Sequence, residues 1–284
     1  IDTTQLDVLE AALKMLGGRA IVNSVNLEDG EEKANRVCQL AREYGAGLIA
    51  LTIDEEGMAK TAARKIEVAR RLYDIVCGRW GIDPGALLFD PLTFTIGSGD
   101  ADSRDAAIQT LEGVQGIKEA LPGVKTVLGV SNVSFGLKPY PRQILNSVFL
   151  AEAIQVGLDA AIVSPAKILP LAKLSPDDIQ ITRDLIYDQR REGYDPLFAF
   201  MSRFADAKAD AGTVLGETGP LEERLARRII DGKKLGIETL LEEALNAGYK
   251  PLDIINNILL DGMKRVGDLF GSGQMQLPFV LQSA

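Results

Sequence analysis

Acid and amide residues directly follow four apolar runs of the sequence and its first residue. They are Asp2, Asn23 followed by Ser24, Asp54, Asp90, and Ser131 followed by Asn132. Lysine and histidine are missing from these positions, so neither a phosphate cradle nor a Schiff-base site is indicated. A carboxylate accepts two parallel hydrogen bonds, and an asparagine both donates and accepts them. The set therefore suits a flat heterocycle rich in N–H groups.

Two other roles for these residues stay open on the sequence alone. Aspartate and asparagine are favoured helix caps and turn residues, and a helical pattern follows each of them. Clustered aspartates could also hold Mg²⁺. Asp2, Asp54 and Asp90 belong to separate runs, however, and the sequence shows no phosphate partner. We therefore expect hydrogen bonding to an organic ligand and no metal site within the chain.

The apolar runs alternate with amphipathic segments up to about residue 190. The predicted strands are 20–22, 48–53, 86–89, 126–130 and 160–163, and the predicted helices are 5–15, 32–43, 59–76, 104–120 and 142–156. Alternation of this kind predicts a parallel sheet with crossover helices. Because the runs are continuously apolar, we expect both faces of the sheet to be covered.

A TIM-type (β/α)8 barrel and a doubly wound sheet both satisfy this α/β pattern. A dinucleotide-binding sheet would carry Gly-x-Gly-x-x-Gly after its first strand, and no run is followed by that motif. The segment 97–99 (Gly-Ser-Gly) lies several residues past its strand and is expected to be a flexible loop. The barrel is favoured, and it places the polar residues at the active-site face. Since only five runs and the tail at Ile1 are seen, we expect the N-terminal strands to be missing from this piece.

The pattern becomes purely helical towards the end of the chain. A barrel domain is predicted over 1–210 and a glycine- and threonine-rich linker over 211–219. Helical patterns then cover 220–230, 237–246 and 251–270, and 277–284 begins another. We therefore predict a partial all-α helical bundle over 220–284, itself incomplete.

Composition excludes several classes of function. The chain has 284 residues with a formal net charge of -9, so neither nucleic acid nor an anionic membrane surface is an expected partner. No apolar stretch approaches the ~20 residues that a membrane helix needs. The absence of histidine excludes a Ser-His-Asp triad and a histidine ligand to a corrinoid from this chain. Two cysteines without a Cys-x-x-Cys motif and no signal peptide indicate a cytoplasmic protein.

The polar runs lie in motifs that resemble a known family. Segments 1–4 (IDTT), 21–30 (IVNSVNLEDG), 50–57 (ALTIDEEG), 89–94 (FDPLTF) and 129–136 (GVSNVSFG) are similar to the pterin-binding domain shared by methionine synthases, corrinoid methyltransferases and dihydropteroate synthase. The resemblance covers about residues 1 to 190. It implies that Asp2, Asn23, Asp90 and Asn132 hold the pterin ring, with Asn132 near N5 as the catalytic residue. Asp54 and Arg142 fall in matching segments and are predicted to bind the substrate with them.

The helical tail distinguishes between members of this family. Dihydropteroate synthase is not favoured because its Ser-Arg-Lys strand end and late histidine are replaced here by Ser131-Asn132-Val133 and by no histidine. Residues 262–278 (GMKRVGDLFGSGQMQLP) resemble the helical cap of the cobalamin-binding module. By that resemblance Phe270 and Leu277 pack over the methyl group on the cobalt, although an ordinary core role fits their spacing as well.

The combined resemblance is to cobalamin-dependent methionine synthases. It implies that the chain binds 5-methyltetrahydrofolate and presents the N5-methyl group for transfer to cob(I)alamin. It also implies a cobalamin domain and a zinc-bearing homocysteine domain elsewhere in the same polypeptide, so this piece alone is expected not to make methionine. Two alternatives remain: a methyltransferase of another pathway acting on a corrinoid iron–sulfur protein, or a non-catalytic binding fragment.

Overall fold

A computed structural model describes residues 1–204, 220–230 and 237–271. The chain divides into two compact units, Ile1–Ala209 and Asp210–Ala284. The predicted linker at 211–219 lies outside the described residues, so the proposed domain boundaries stay predictions. Each unit is therefore described by itself.

A five-stranded parallel sheet forms the centre of the described part of the first unit. Its strands are β1 (Ile21–Val25), β2 (Gly47–Leu51), β5 (Leu87–Asp90), β6 (Lys125–Gly129) and β7 (Ala160–Ile162), in the spatial order β1-β2-β5-β6-β7. Between β2 and β5 the chain forms a small antiparallel hairpin of β3 (Ile53–Asp54) and β4 (Gly57–Met58). A parallel bridge between Asp2 and Asn23 places the start of the chain beside β1.

Helices connect the strands of this sheet, and others precede the first strand or follow the last. They are α1 (Leu6–Met15), α2 (Glu31–Glu43), α3 (Ala62–Tyr73), α4 (Ala106–Ala120), α5 (Pro139–Gln155), α6 (Pro176–Ile186) and α7 (Pro196–Arg203). A π-helical turn at Asp74–Arg79 extends α3, and single 3₁₀ turns precede β5 and follow β6. Several starts are capped by side chains: Thr61 accepts from the Arg64 amide, and Ser175 and Asp195 cap α6 and α7.

The strand order follows the order of the chain, as it does in a barrel, whereas a doubly wound sheet reverses direction at a switch point. The predicted α/β class, with a parallel sheet followed by helices, is confirmed. Within the described residues β7 pairs with β6 alone. The sheet is thus an arc of a barrel, with the Ile1–Asp2 segment at one edge and β7 at the other.

The two faces of the arc differ in burial. Side chains that point towards the helices are fully covered, among them Val22, Leu48, Ala50, Leu87 and Phe89. Two core clusters fill the space between this face and the helices, one around β1, β2 and β5 and the other around β6 and α5. The alternate side chains of the same strands point to the opposite, inner face. That face bears the polar residues considered below.

The second unit consists of helices in its described part. These are α8 (Leu221–Ile230), α9 (Ile237–Asn246) and α10 (Pro251–Asp253), which continues through a π-helical turn at Ile254–Leu259 into α11 (Leu260–Gly271). A small core of its own joins Leu225, Leu240, Ala244, Ile254 and Ile258. Gly262 allows α11 to approach α8, because a Cβ there would lie 3.1 Å from the Ala226 carbonyl oxygen.

Both cysteines are free thiols. Cys38 is buried, and burial raises its pKa to about 12, while Cys77 is half-buried with its pKa raised to about 11 for the same reason. No helix in the described ranges is long and apolar enough to cross a membrane.

Candidate pterin-binding site

Three of the predicted residues lie on the inner face of the sheet. Asp2 pairs with Asn23 across a parallel bridge, Asn23 pairs with Ile49, and Asp90 pairs with Leu51 two positions further along. Partners in a parallel sheet point to the same face, and so do residues two apart on one strand. Asp2, Asn23 and Asp90 therefore share that face, at or near the carboxyl ends of their strands.

Asp90 is the buried member of this group. Its side chain accepts a hydrogen bond of 2.8 Å from the Leu92 amide, and the Gly129 amide on β6 lies near enough to lower its pKa. Burial raises its pKa to about 6, although the two amides and the charge of Lys65 act in the opposite direction. Asp90 is thus a carboxylate near neutral pH with little solvation, a state in which hydrogen bonds from a ligand are strong.

Asn132 lies on the turn that follows β6. It belongs to the 3₁₀ segment Val130–Ser134, and its side chain is exposed. A Cβ on Gly129 would come within 3.1 Å of the Asn132 side-chain nitrogen, so glycine leaves the space for that amide group. Since the Gly129 amide also acts on the Asp90 carboxylate, Gly129 adjoins both predicted ligand-binding residues.

Arg142 contacts the same turn from α5. Its guanidinium donates to the Ser134 hydroxyl and to the Ser131 carbonyl, each over 3.1 Å, and the Ser134 hydroxyl donates to that carbonyl as well. These bonds fix the backbone on either side of Asn132. The contacts favour a positioning role for Arg142, and its predicted contact with substrate stays a prediction.

Asp54 is placed differently from the sequence expectation. The apolar run 48–53 is interrupted, since β2 ends at Leu51 and Asp54 belongs to the hairpin, so it is not at the end of a sheet strand. Its buried carboxylate binds Arg64 at 2.5 Å and Arg71 at 2.9 Å. Both arginines lie on α3, and these contacts favour a structural ion pair over a ligand contact.

The helix-cap alternative does not account for the polar residues. The caps of α1 to α5 are Gln5, Gly30, Thr61, Asp105 and Lys138, none of which belongs to the polar set. Turn bonds do occur, from Glu56 to Asp54 and from Leu92 to Asp90. For Asp2, Asn23 and Asn132, the described part of the chain supplies no side-chain hydrogen-bond partner, which leaves these groups available to a ligand.

Lys65 is a residue near the site that sequence reasoning missed. It is fully buried on α3, and its ammonium group donates to the carbonyl oxygens of Ala59, Pro91 and Leu92. Burial lowers its pKa to about 8, against the effect of the Asp90 charge. A signal existed, because Lys65 occupies the same helical face as Val68, Ala69 and Leu72.

Two threonine hydroxyls were also missed. Thr52 follows β2 and Thr93 follows β5, and both side-chain oxygens are buried without a partner in the described part of the chain. A buried hydroxyl normally has a hydrogen-bond partner. Thr52 also donates its amide to the Asp90 carbonyl at 3.1 Å, so it lies beside the site.

A separate cleft of about 560 Å³ is lined by residues of α6 and the loop that follows it. Its arginines are already paired: Arg183 binds Glu152, Arg190 binds Asp195, and Arg191 binds Asp184. Because their charges are neutralised, we assign no ligand to this cleft. Among the described residues there is also no group of three or more Asp, Glu or Cys placed to hold a metal ion.

The predicted cap residues fall where the structure gives no side-chain contacts. Phe270 lies at the end of α11, where side chains are not described, and Leu277 lies outside the described residues. Their contact with cobalamin therefore stays a prediction.

The fold and these residues define a barrel-type domain with carboxylate and amide groups gathered at the carboxyl ends of its strands. In agreement with this, residues 1–164 match the model of the pterin binding enzyme family, and the chain belongs to that family. Residues 221–284 match the model of the B12 binding domain.

Individual relatives show which members of this family the chain resembles. The chain is 49% identical to the methionine synthase of Mycobacterium leprae and 50% identical to that of Mycobacterium tuberculosis. All of the chain is covered in both comparisons, but it spans only 24% of the length of each relative. The predicted resemblance to methionine synthases that carry a pterin-binding and a cobalamin-binding domain is confirmed.

Proposed function

We propose that this chain binds 5-methyltetrahydrofolate and presents its N5-methyl group for transfer to cob(I)alamin, as a step in making methionine from homocysteine. The observation that carries the proposal is the common face of Asp2, Asn23 and Asp90, with Asn132 on the adjoining turn. The identity to methionine synthases over the whole chain supports the choice of pathway.

The side chains match the edge of a pterin ring. The Asp90 carboxylate can accept from the 2-amino group and the neighbouring ring N–H, because an ionised carboxylate takes two parallel hydrogen bonds. Asn23 and Asp2 supply a mixed donor and acceptor pair beside it. Two strands, the segment bridged to β1 at Asp2 and one turn hold these groups, so the ring would be fixed in both position and orientation.

Breaking the bond between N5 and its methyl group is difficult because an amine anion is a poor leaving group. In the proposed mechanism, the Asn132 amide hydrogen bonds at N5 and stabilises its protonated form. An amide does not titrate, and the chain has no histidine, so water delivers the proton. Asp90 and its neighbours meanwhile hold the ring in line with the acceptor.

Cobalamin supplies the strong nucleophile that accepts the methyl group. The residues proposed to cover it are Phe270 and Leu277, in the part of the chain that matches the B12 binding domain. The described helices are consistent with an apolar cover, since Leu252, Ile255 and Leu260 are exposed on them. If the cobalt took a histidine ligand, that histidine would lie outside these residues, which contain none.

The remaining partners are also part of the proposal. The relatives are about four times as long as this chain, which leaves room for a cobalamin domain and a zinc-bearing homocysteine domain in one polypeptide. We place the protein in the cytoplasm. A non-catalytic binding fragment, or a methyltransferase acting on a corrinoid iron–sulfur protein, is the alternative function.

Titration of the chain with 5-methyltetrahydrofolate tests the binding step. We expect saturable binding of one ligand per chain, and no binding would contradict the proposal. Asn132→Ala then tests the chemistry, with methyl transfer to added cob(I)alamin measured in single turnovers. We expect a loss of about 10²-fold in rate, and an unchanged rate would remove Asn132 from the mechanism. A wild-type chain that binds methylfolate but transfers no methyl group would favour the non-catalytic alternative.

A further inference from the structure

Lys65 is the one ammonium group in the described core that lies behind the candidate site. The side chain of this residue is fully buried, and its nitrogen donates to the carbonyl oxygens of Pro91 at 2.5 Å, Ala59 at 2.9 Å and Leu92 at 3.2 Å. It also lies 5.0 Å from the centre of the Phe94 ring. Burying a charged amine is costly without such partners. A buried lysine held by three carbonyl oxygens therefore indicates a functional role.

The Lys65 bonds hold the segment that shapes Asp90. Pro91 and Leu92 directly follow Asp90, and the Leu92 amide donates back to the Asp90 carboxylate. Leu92 has a φ of 63°, which is unfavourable for a residue with a side chain. The Thr110 hydroxyl shares the Leu92 carbonyl with Lys65 at 3.0 Å. Two side chains from two helices thus fix this strained turn.

The path of the lysine chain is also built into the neighbouring helix. A Cβ on Gly113 of α4 would lie 2.8 Å from Cδ of Lys65. Glycine at this position lets the side chain pass between α3 and α4 to reach the turn.

We infer that Lys65 is a positioning residue for pterin binding, which fixes the Asp90–Leu92 turn from behind the site. The inference rests on the proposed function, since it names a determinant of the same site. Lys65 itself does not contact the substrate. It acts through Asp90, to which its positive charge is electrostatically coupled.

The charges around Lys65 give this role a pH signature. Asp90 is the titratable group that acts on Lys65 from β5, and its other close neighbours, Phe94, Thr110 and Gly113, carry no charge. Asp90 has a pKa of about 6 and Lys65 of about 8. Affinity for 5-methyltetrahydrofolate should therefore be greatest between those values. It should fall below pH 6 as Asp90 gains a proton, and above pH 8 as Lys65 loses one.

The test measures the affinity of the full chain and of Lys65→Met for 5-methyltetrahydrofolate from pH 5 to 9.5. At pH 7 we expect the variant to bind about tenfold or more weakly. The lower limit of its pH range should move upward, because Asp90 loses the neighbouring positive charge, and the decline above pH 8 should disappear. A variant with wild-type affinity and an unchanged pH profile would overturn the inference.

A matched pair of glycine variants decides the question if Lys65→Met does not fold. The added methyl group of Gly113→Ala would press on the Lys65 side chain. The added methyl group of Gly116→Ala would lie 2.3 Å from the Ile66 side chain instead, between the same two helices. We expect Gly113→Ala to weaken binding more than Gly116→Ala, and equal effects would overturn the inference. If the wild-type chain binds no methylfolate at any pH, the proposed function fails instead.

Discussion

At the scale of single residues, Gly129 connects two groups that the sequence places 42 positions apart. Its amide acts on the Asp90 carboxylate, and its missing side chain makes room for the Asn132 amide. A change at Gly129 therefore tests the geometry of both groups without removing either one.

Gly129→Ala should slow methyl transfer with little effect on folding. Its φ of -74° suits alanine, but the new methyl group would meet the Asn132 nitrogen at 3.1 Å and displace it by a few tenths of an ångström. We expect about a tenfold loss of rate in single turnovers. Gly78→Ala is the control, because nothing lies within 4 Å of its Cβ position. Equal rates for the two variants would contradict the assigned positions.

Asp90 should also make the stability of the folded chain depend on pH. Its pKa is about 6 in the folded chain, against an ordinary value of 3.8 for an aspartate in an unfolded chain, so the folded state holds an extra proton between those values. The contribution of Asp90 to stability therefore declines as pH rises from 4 to 6, by roughly 3 kcal/mol in total. Urea unfolding of the wild type and Asp90→Asn at pH 4, 5, 6 and 7 measures this. The wild type should lose stability relative to the variant across that range, and a constant difference would refute the assignment.

The sequence predicted the polar residues of the candidate site but not the residue behind them. Asp2, Asn23, Asp90 and Asn132 follow apolar runs, and the end of such a run is enough to place them near the carboxyl end of a strand, although β1 continues past Asn23 to Val25. Lys65 sits on an apolar helical face, where a lysine would ordinarily extend its charged end to solvent. Only the tertiary structure shows that the carbonyl oxygens of a distant turn receive it.

At the scale of elements, the hairpin of β3 and β4 explains why Asp54 was misplaced. The run 48–53 reads as one strand because it is almost continuously apolar and ends in the β-branched residues Thr52 and Ile53, yet β2 ends at Leu51. The Thr52 amide bonds to the Asp90 carbonyl, and the chain then turns away to pair Ile53 with Met58. Hydrogen bonds between distant segments set this boundary, so local sequence could not reveal it.

Asp54→Ala should destabilise the first unit through its arginine partners. The buried carboxylate binds Arg64 and Arg71. Because the variant would remove this partner from both arginines, we expect a loss of about 1–3 kcal/mol in the free energy of unfolding. Glu56→Ala is the matched control, since Glu56 binds the same Arg64 at 3.2 Å but is 80% exposed. That variant should lose less than about 0.5 kcal/mol. If both variants lost a similar amount of stability, burial of the Asp54 ion pairs would not be the cause of the effect.

At the scale of the whole molecule, each unit has its own core, and the unfolding of one unit can be followed separately by the fluorescence of a single tryptophan. Trp80 is the only tryptophan of the chain. It lies in the first unit, half-buried, with its indole N–H donating to Asn35 at 2.7 Å. Its fluorescence therefore reports unfolding of the unit that holds the candidate site, while the circular dichroism of helices reports both.

Thermal unfolding with and without 5-methyltetrahydrofolate uses this difference. At a ligand concentration 100 times its Kd, the Trp80 transition should rise by about 5–10 °C. The part of the helical signal that belongs to the second unit should not move. Asp90→Asn serves as the control and should show a much smaller shift. If the ligand shifted only the helical signal and not the Trp80 transition, the methylfolate site would lie in the second unit, and the proposal would be contradicted.

The alternation of strands and helices along the chain, and the helical character of the described C-terminal part, could be predicted because both follow from local periodicity. The π-helical turns at 74–79 and 254–259 could not. Their backbone hydrogen bonds differ from those of an α-helix by one position, and nothing in the pattern of apolar residues records such a shift.

The two protected thiols make this chain well suited to site-directed labelling. A thiol reacts as its thiolate, and with pKa values of about 12 and 11 neither Cys38 nor Cys77 yields much of it at neutral pH. A cysteine introduced on the exposed surface of α9 would therefore take up a maleimide dye selectively. Energy transfer from Trp80 to that dye would then report the separation of the two units in solution, with no native cysteine to remove first.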